Sequence, residues 1–247
     1  MSPDLLSIVV PAYNEAGRVG ESLRRIAEYA DAVGLSVEIV VVDDGSTDGT
    51  AEVVEAIGAR DRRVKVVRNP RNLGKGGAVR RGVRASTGDR VLFSDADLST
   101  PIEELEKMIP WLGTSDLVVA SRSARGAQVL VHQPRYREIM GRMFNIVVRA
   151  LLVRGMIDTQ CGFKLMTRRA ADQIFARQRI DSFSFDVEMI VIAKRLGMTV
   201  KEIPVRWVNS PASRVHPVVD SAQMLLDLFR VKAYDTLGFY RKPSGRE

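Results

Sequence analysis

Residues 91–101 read VLFSDADLSTP, an apolar run that leads directly into two aspartates separated by one alanine. The run has the composition of a buried strand, so Asp95 and Asp97 are expected to lie together at its carboxyl end. In open α/β sheets, ligands bind at that end of the strands. Two carboxylates on short side chains offer the oxygen ligands that Mg²⁺ and Mn²⁺ prefer. The stretch therefore predicts either a metal site that holds a diphosphate or simply a polar strand ending. The motifs that follow the other predicted strands bear on this choice.

Similar apolar runs recur through the first half of the chain. They cover residues 6–10, 37–42, 64–67, 90–93 and 117–120, and segments with helical periodicity separate them. This alternation predicts the α/β class, with a mostly parallel sheet covered by helices on both faces and joined by right-handed crossovers. A chain of 247 residues with 45% hydrophobic content can bury one sizeable core. We expect a single domain over residues 1–247, with halves at 1–122 and 123–247.

The second half begins with a polar loop at residues 123–135 and continues with the most amphipathic segment of the chain, residues 138–154. The residues of its apolar stripe are Met140, Met143, Phe144, Val147, Val148, Leu151 and Leu152. Glu138, Arg142, Asn145 and Arg149 fall on the opposite side. A second amphipathic stretch covers residues 220–234. Either helix can be an ordinary core helix or one that lies on a membrane surface, and the pattern leaves both open.

The charge of the chain indicates an anionic partner. The formal net charge is +7 and the pI is about 9.8, which fits nucleic acid, an acidic membrane or phosphorylated ligands. No zinc-finger spacing or RNP-type aromatic strand accompanies the charge, so we expect no nucleic-acid partner. The single cysteine, Cys161, excludes an intramolecular disulfide. The first residues lack a signal-peptide pattern and no apolar stretch reaches the ~18 residues that span a bilayer, so we expect an intracellular protein with peripheral membrane contacts only.

Polar residues also follow the other predicted strands. The first strand runs into PAYNE, residues 11–15, and the second into DDGSTDG, residues 43–49. Tyr13 can stack on a base, and the Asp43 carboxylate can accept hydrogen bonds from a nucleoside. The first turn lacks a G-x-G-x-x-G pattern, which argues against a dinucleotide-binding domain. Lys75 lies in NLGKGG at the predicted start of a helix, which suits a phosphate, although a glycine-rich helix start without a ligand is equally compatible.

Together these motifs resemble the inverting nucleotide-sugar glycosyltransferases of family 2, which have the GT-A fold, and the resemblance covers nearly the whole chain. It implies that PxYNE and DDGSTD hold the nucleoside and that DxD holds a metal ion on the donor diphosphate. The residues concerned are Pro11, Tyr13, Asn14, Glu15, Asp43, Asp44, Asp95 and Asp97. Segments 158–164, 184–188 and 209–215 are similar to those of the dolichyl-phosphate β-glucosyltransferase branch. Ser99 stands where related dolichyl-phosphate mannose synthases carry a glutamine.

The resemblance implies inverting transfer of glucose from UDP-glucose to a polyprenyl phosphate, with Mg²⁺ or Mn²⁺, on the cytoplasmic face of a membrane. Residues 1–122 then bind the nucleotide sugar and 123–247 the acceptor. A phosphate acceptor arrives ionised, because its second pKa is about 6, and needs no general base. GDP-mannose as donor, a water-soluble acceptor, and nucleotide binding without turnover remain alternatives.

The expected residue roles follow from this chemistry. Asp97, Arg122 and Arg214 are the predicted catalytic residues, and Lys75 joins the donor-binding set. The predicted acceptor-binding residues are Arg135, Arg137, Asp186, Glu188, Ser213 and Arg214. For Asp186 and Glu188, binding of sugar hydroxyls and capping of the following helix are both open.

Overall fold

The apolar runs form the strands of a central sheet. The structure is a computed structural model that describes residues 4–209 and 219–241. Its strands are β1 (Leu6–Ala12), β2 (Val37–Asp43), β3 (Val64–Arg68), β4 (Arg90–Ser94), β5 (Leu117–Ser121), β6 (Gln128–Val131), β7 (Phe163–Thr167), β8 (Val200–Pro204) and β9 (Arg206–Val208). Seven of them form one sheet in the order β3-β2-β1-β4-β7-β5-β8. Only β7 runs antiparallel to its neighbours there, and β6 pairs with β9 in a separate two-stranded sheet.

Helices cover both faces of this sheet. They are α1 (Val19–Val33), α2 (Thr50–Gly58), α3 (Lys75–Ala85), α4 (Leu105–Met108), α5 (Arg135–Leu151), α6 (Arg168–Arg177), α7 (Phe185–Arg195) and α8 (Val219–Thr236), and short 3₁₀ turns flank α4. Alternate strand residues enter different cores, because successive side chains of a strand point to opposite faces. Ile8 and Val10 of β1 belong to one buried cluster, and Val9 belongs to the other. The predicted two-faced α/β architecture is confirmed.

The strand register brings the polar strand ends together. Ala12 of β1 pairs with Asp43 of β2, and Val9 pairs with Phe93 of β4. Because β1, β2 and β4 are parallel neighbours, the segments that follow them emerge at one edge of the sheet. The PAYNE, DDGSTD and DxD motifs therefore meet at this edge, as the sequence predicts.

Two expectations for the second half were wrong. The segment predicted as a polar loop, residues 123–135, contains β6, which pairs with β9 more than seventy positions later in the chain. Such a partner leaves no local sequence signal. Helix α5 begins at Arg135 and ends at Leu151, three residues earlier at each end than expected. Among the helices that the structure describes, none has both the length and the apolar character needed to cross a bilayer.

Candidate active site

A cavity of about 510 Å³ lies at the carboxyl edge of the sheet. Of the predicted donor and metal residues, Pro11, Tyr13, Asn14, Glu15, Asp44, Lys75, Asp95 and Asp97 line it. Arg18, Asn72, Ser182, Phe183, Gln223 and Met224 line it too and were not among the predicted site residues. We call this cavity the crevice. Tyr13 is 40% exposed there, which leaves its ring accessible to a planar base.

Hydrogen bonds join the loops that follow β1 and β2. The backbone N–H of Asn14 donates to Ser46 Oγ at 2.9 Å, and Asn14 Oδ1 accepts from the Thr47 N–H at 2.9 Å. The Glu15 N–H donates to Thr50 Oγ1 at 2.8 Å. Asn14 has a φ of 54°, in the left-handed region that asparagine tolerates better than most residues. Much of the DDGSTD motif therefore shapes the loop that carries Tyr13.

Asp43 and Asp44 have different positions. Asp44 lines the crevice, but both of its carboxylate oxygens already accept hydrogen bonds, from Asn69 Nδ2, the Leu73 N–H and the Gly74 N–H. Asp43 is buried and accepts from the Ser46 N–H at 3.3 Å. Asp44 thus fixes the loop before α3. Nucleoside binding by these two residues stays a prediction.

Asp95 and Asp97 follow β4 directly and face the crevice. Asp97 Oδ1 accepts from the Ser99 N–H at 2.9 Å. Asp95 is enclosed by the 158–162 segment: its N–H donates to the Gly162 carbonyl at 3.0 Å, and a Cβ at residue 162 would overlap its carboxylate. Only glycine allows this close approach. The Asp95 carboxylate is therefore held by the shape of the backbone beside it.

Lys75 reaches the same carboxylate from α3. Its Nζ lies 2.7 Å from Asp95 Oδ1. Burial disfavours the charged ammonium, but the carboxylates of Asp95 and Asp186 outweigh this effect and raise the pKa of Lys75. Lys75 therefore stays cationic at the crevice wall.

Three backbone N–H groups at the start of α3 already have partners, which favours the second of the two sequence interpretations, a glycine-rich helix start without a ligand. The N–H groups of Gly76 and Gly77 donate to the Asp181 carbonyl at 2.8 and 3.3 Å, and the Gly74 N–H donates to Asp44. The glycines serve close packing instead, because a Cβ at Gly76 would lie 2.6 Å from Phe185 Cβ. The Lys75 side chain is the cation that this helix start offers to a phosphate.

The carboxylates at the end of β4 fit a divalent cation shared with a substrate. Burial raises the pKa of Asp95; Lys75 opposes this shift and Asp97 adds to it. A cation between the two aspartates would stabilise both in their ionised forms. Within residues 4–209 and 219–241, no cluster of three or more His, Cys, Asp or Glu side chains forms a complete metal site. Two carboxylates with the remaining positions left to phosphate oxygens and water is the usual arrangement for Mg²⁺ at phosphate sites.

Arg122 lies outside the crevice. Its Nε and Nη2 donate to the buried Asp158 carboxylate at 2.7 and 2.9 Å, and its guanidinium stacks on Trp207 at 5.5 Å. It lines a second cavity of about 140 Å³, together with His132, Arg142 and other residues of β6 and α5. Asp158 strongly favours the charged guanidinium and, despite burial, raises the pKa of Arg122. The predicted catalytic role of Arg122 stays a prediction, with its fork already engaged by Asp158.

Asp186 and Glu188 are buried at the start of α7 and do not line the crevice. Asp186 pairs with Lys164, whose side chain is fully buried and also donates to the Cys161 carbonyl. Glu188 accepts from the Arg179 and Ile180 N–H groups and from the Tyr240 hydroxyl at 2.7 Å. These contacts account for both carboxylates by internal pairing. The predicted acceptor roles of Asp186 and Glu188 stay predictions, and the Glu188 oxygens contact the backbone before α7 and the Tyr240 hydroxyl.

The side chains of the four other predicted acceptor residues are not described. Ser213 and Arg214 lie outside the described residues. Arg135 and Arg137 belong to the first turn of α5, but their side chains are not described. Their predicted roles stay predictions.

Helix α8 supplies one wall of the crevice through Gln223 and Met224. Ser182 Oγ donates to Asp227 Oδ2 at 2.5 Å, and Ser184 Oγ donates to the Met224 carbonyl at 3.2 Å. These bonds tie α8 to the loop that also meets the start of α3. The sequence shows α8 as an amphipathic stretch but carries no signal for its position beside a strand end some 130 residues earlier.

Part of the apolar stripe predicted for α5 faces the core. Phe144 is 9% exposed and Val148 is fully buried, and both belong to the larger hydrophobic cluster. Asn145, expected on the polar side, is buried and accepts from Thr159 Oγ1 at 3.2 Å. Met143 of the same stripe and further apolar residues face outward on α5 and on α8, which contacts it. These are Tyr136, Ile139, Met143 and Ile146 of α5 and Leu225, Leu226 and Phe229 of α8, which we call the α5–α8 surface.

Comparison with known proteins places these features in context. The family model described as glycosyl transferase family 2 matches residues 7–175. Dolichyl-phosphate beta-glucosyltransferases are similar over most of the chain. The protein from Trichomonas vaginalis is 36% identical over 95% of this chain and 72% of its own length. The one from Mus musculus is 34% identical over 98% of this chain and 79% of its own length.

A solved structure has the same fold. Glucosyl-3-phosphoglycerate synthase from Mycobacterium tuberculosis, in complex with Mn²⁺, UDP and glucosyl-3-phosphoglycerate, aligns with a TM-score of 0.65 and 22% sequence identity. The alignment covers 98% of this chain and 82% of that one. This likeness confirms the predicted GT-A architecture.

Proposed function

The chain belongs to glycosyl transferase family 2, and from this premise we propose that it transfers glucose from UDP-glucose to a polyprenyl phosphate of the dolichyl type, with inversion at the sugar. Its relatives at 32–36% identity bear the name dolichyl-phosphate beta-glucosyltransferase. The product is a lipid-linked glucosyl phosphate.

One observation carries the donor half of this proposal: Asp95, Asp97 and Lys75 meet in a single crevice beside the accessible ring of Tyr13. This set of groups matches a nucleotide sugar, which presents a planar base, an anionic diphosphate and a sugar in sequence. Tyr13 stacks on the base, while Lys75 neutralises phosphate oxygens.

Asp95 and Asp97 are the residues that would hold Mg²⁺ or Mn²⁺ together with the diphosphate. When bound, the ion supplies positive charge that stabilises the departing UDP. Gly162 and the Ser99 N–H keep the two carboxylates in place for this purpose.

The position of Asp186 supports an acceptor that needs no deprotonation. A hydroxyl acceptor requires a general base within reach of its proton. Asp186 is 3% exposed and its charge is already paired with the buried ammonium of Lys164, so it is poorly placed to accept a proton. A phosphate monoester is ionised at neutral pH and attacks without that help.

The α5–α8 surface supports action at a membrane, where the acceptor resides. Its exposed apolar side chains lie on helices that also carry exposed basic residues, among them Arg142, Arg149, Arg230 and Lys232. An apolar face with basic neighbours is typical of peripheral binding to anionic lipids. We propose that this surface contacts the cytoplasmic leaflet.

The direct test incubates the purified protein and Mn²⁺ with one labelled donor at a time: UDP-glucose, UDP-galactose, GDP-mannose or UDP-N-acetylglucosamine. Each donor is offered with a polyprenyl phosphate, with the matching polyprenol, and with 3-phosphoglycerate. We expect label in the lipid extract only for UDP-glucose with the polyprenyl phosphate, as the β-anomer. The polyprenol serves as the control, because it shares the chain and lacks the ionised nucleophile.

Other outcomes would redirect the proposal. Label transferred from GDP-mannose would change the donor and leave the acceptor intact. Label on 3-phosphoglycerate alone would replace the lipid acceptor by a water-soluble one.

A further inference from the structure

The crevice contains a second cation besides Lys75. Arg18 is the residue that precedes the first turn of α1, and it lines the crevice near Asp97. Its guanidinium forms a side-on fork with Glu15, in which Nε pairs with Oε2 and Nη2 donates to Oε1 at 2.5 Å. The third nitrogen, Nη1, lies 3.8 Å from Oδ2 of Asp97.

Glu15 holds this guanidinium toward the crevice. The Glu15 side chain is 9% exposed and that of Arg18 is 25% exposed, so the carboxylate is the more buried member of the pair. The Glu15 backbone is itself fixed, because its N–H donates to Thr50 and its carbonyl accepts from the Arg18 N–H at 3.0 Å. An arginine guanidinium stays charged at any physiological pH. Arg18 is therefore an oriented, permanent charge.

Each aspartate of the DxD motif thus has its own cation. Lys75 from α3 pairs with Asp95, and Arg18 from the start of α1 lies beside Asp97. A diphosphate held at these carboxylates brings negative charge into the space between the two cations, and further charge develops on UDP as its bond to the sugar breaks. Arginine suits such a group, because its planar fork donates several hydrogen bonds in fixed directions.

We infer that Arg18 contacts the donor diphosphate directly, that Glu15 positions it, and that Arg18 and Lys75 together stabilise the leaving UDP. Glu15 is then a positioning residue for Arg18 rather than a nucleoside ligand. The inference rests on the proposed function, since it requires a nucleotide-diphosphate donor.

The competing explanation is that the Glu15–Arg18 pair only stabilises the turn between β1 and α1. The same helix offers a matched control. Arg24 makes the same fork with Glu21, at 3.0 Å from Nε and 2.6 Å from Nη2, with the same sequence spacing. The side chains of Arg24 and Glu21 are 56% and 60% exposed, and neither residue lines the crevice.

The experiment measures calorimetric binding of UDP in the presence of Mn²⁺ to the unmodified protein and to Arg18→Gln, Arg18→Lys, Glu15→Gln and Arg24→Gln. We expect Arg18→Gln to weaken UDP binding about tenfold or more, Arg18→Lys to recover part of it, and Glu15→Gln to lie in between. Arg24→Gln should bind within about twofold of the unmodified protein. In turnover, Arg18→Gln should lower kcat more than it raises the donor KM, because the contact strengthens as charge develops on UDP.

Three results would count against the inference or its premise. If Arg18→Gln binds UDP as well as the unmodified protein and only its melting temperature falls, the Glu15–Arg18 pair only stabilises the turn between β1 and α1. Mn²⁺ binding without nucleotide can be measured by electron paramagnetic resonance. If Arg18→Gln weakens it as much as it weakens UDP binding, Arg18 acts only by positioning Asp97. Failure of the unmodified protein to bind UDP at all would refute the proposed donor rather than the role of Arg18.

Discussion

The crevice and the α5–α8 surface differ in how directly the sequence reveals them. In the crevice, the side chains that matter follow strand ends, and eight predicted residues line one cavity. In α5 the helical pattern was correctly recognised, but the predicted apolar stripe divides: Phe144 and Val148 are buried, whereas Met143 is exposed. A strand end fixes where its next residues lie, whereas an amphipathic pattern states only that one face is apolar. The predictions below test this difference.

The largest effect is expected at the buried residues of α5, which a core helix and a membrane-surface helix would place in different surroundings. Phe144→Asp combined with Val148→Asp should unfold the protein or lower its free energy of unfolding by more than about 4 kcal/mol, because charges would enter the core. Urea denaturation followed by circular dichroism measures this. A variant that keeps its transition midpoint but no longer binds liposomes would show that these two residues contact the membrane rather than the core.

Asp97→Asn should nearly abolish glucose transfer and leave the fold unchanged. The substitution keeps the side-chain volume but removes a negative charge from the proposed metal site, so we expect a loss of more than about 100-fold, or about 2.7 kcal/mol in activation free energy. EDTA should have the same effect on the unmodified protein, and Mn²⁺ should reverse it. Ser99→Ala is the control, since only its backbone N–H contacts Asp97. Full turnover in EDTA would rule out the metal.

Gly162→Ala tests whether the geometry of the crevice depends on a residue outside the strand-end motifs. The added methyl group would overlap the Asp95 carboxylate and displace it. We expect initial rates to fall by about 10- to 100-fold, because a displacement of about 1 Å at a reacting site has costs of this order. Gly17→Ala is the matched control, since a Cβ there meets nothing within 4 Å. Equal activity of the two variants would mean that the 158–162 segment does not hold Asp95.

The smallest effect on stability and a selective effect on membrane binding are expected at the α5–α8 surface. Ile139 and Met143 are 57% and 63% exposed. Changing both to Asp should weaken sedimentation with anionic liposomes about tenfold and shift the melting temperature by no more than about 2 °C.

Val33→Asp is the control for this pair, because Val33 is an apolar residue of α1, 48% exposed and outside the α5–α8 surface. Liposome binding that falls equally in the control would point to a general charge effect.

Local patterns predicted much of the fold, and their limits are visible in particular residues. The first five strands were found from β-branched runs such as IVV at residues 8–10, because full burial leaves a strong compositional signal. Strands β6 to β9 were missed: β6 and β9 are short and β6 is largely exposed, β8 is only half-buried, and the largely buried β7 contains a lysine in its run. The glycines at the start of α3 suited a phosphate by pattern, yet the Asp181 carbonyl occupies that position from more than a hundred residues away.

The sequence by itself determined the alternation of strands and helices and the position of Asp95 and Asp97 at a strand end, because periodicity and strand direction are local properties of the chain. Only the tertiary structure decided which apolar residues of α5 enter the core. It also decided that the Tyr240 hydroxyl donates to Glu188 and that Arg18 lies beside Asp97. Each of these outcomes depends on partners contributed by distant segments. Burial and pairing depend on tertiary contacts. The type and spacing of a residue therefore limit the roles it can have, and packing selects one of them.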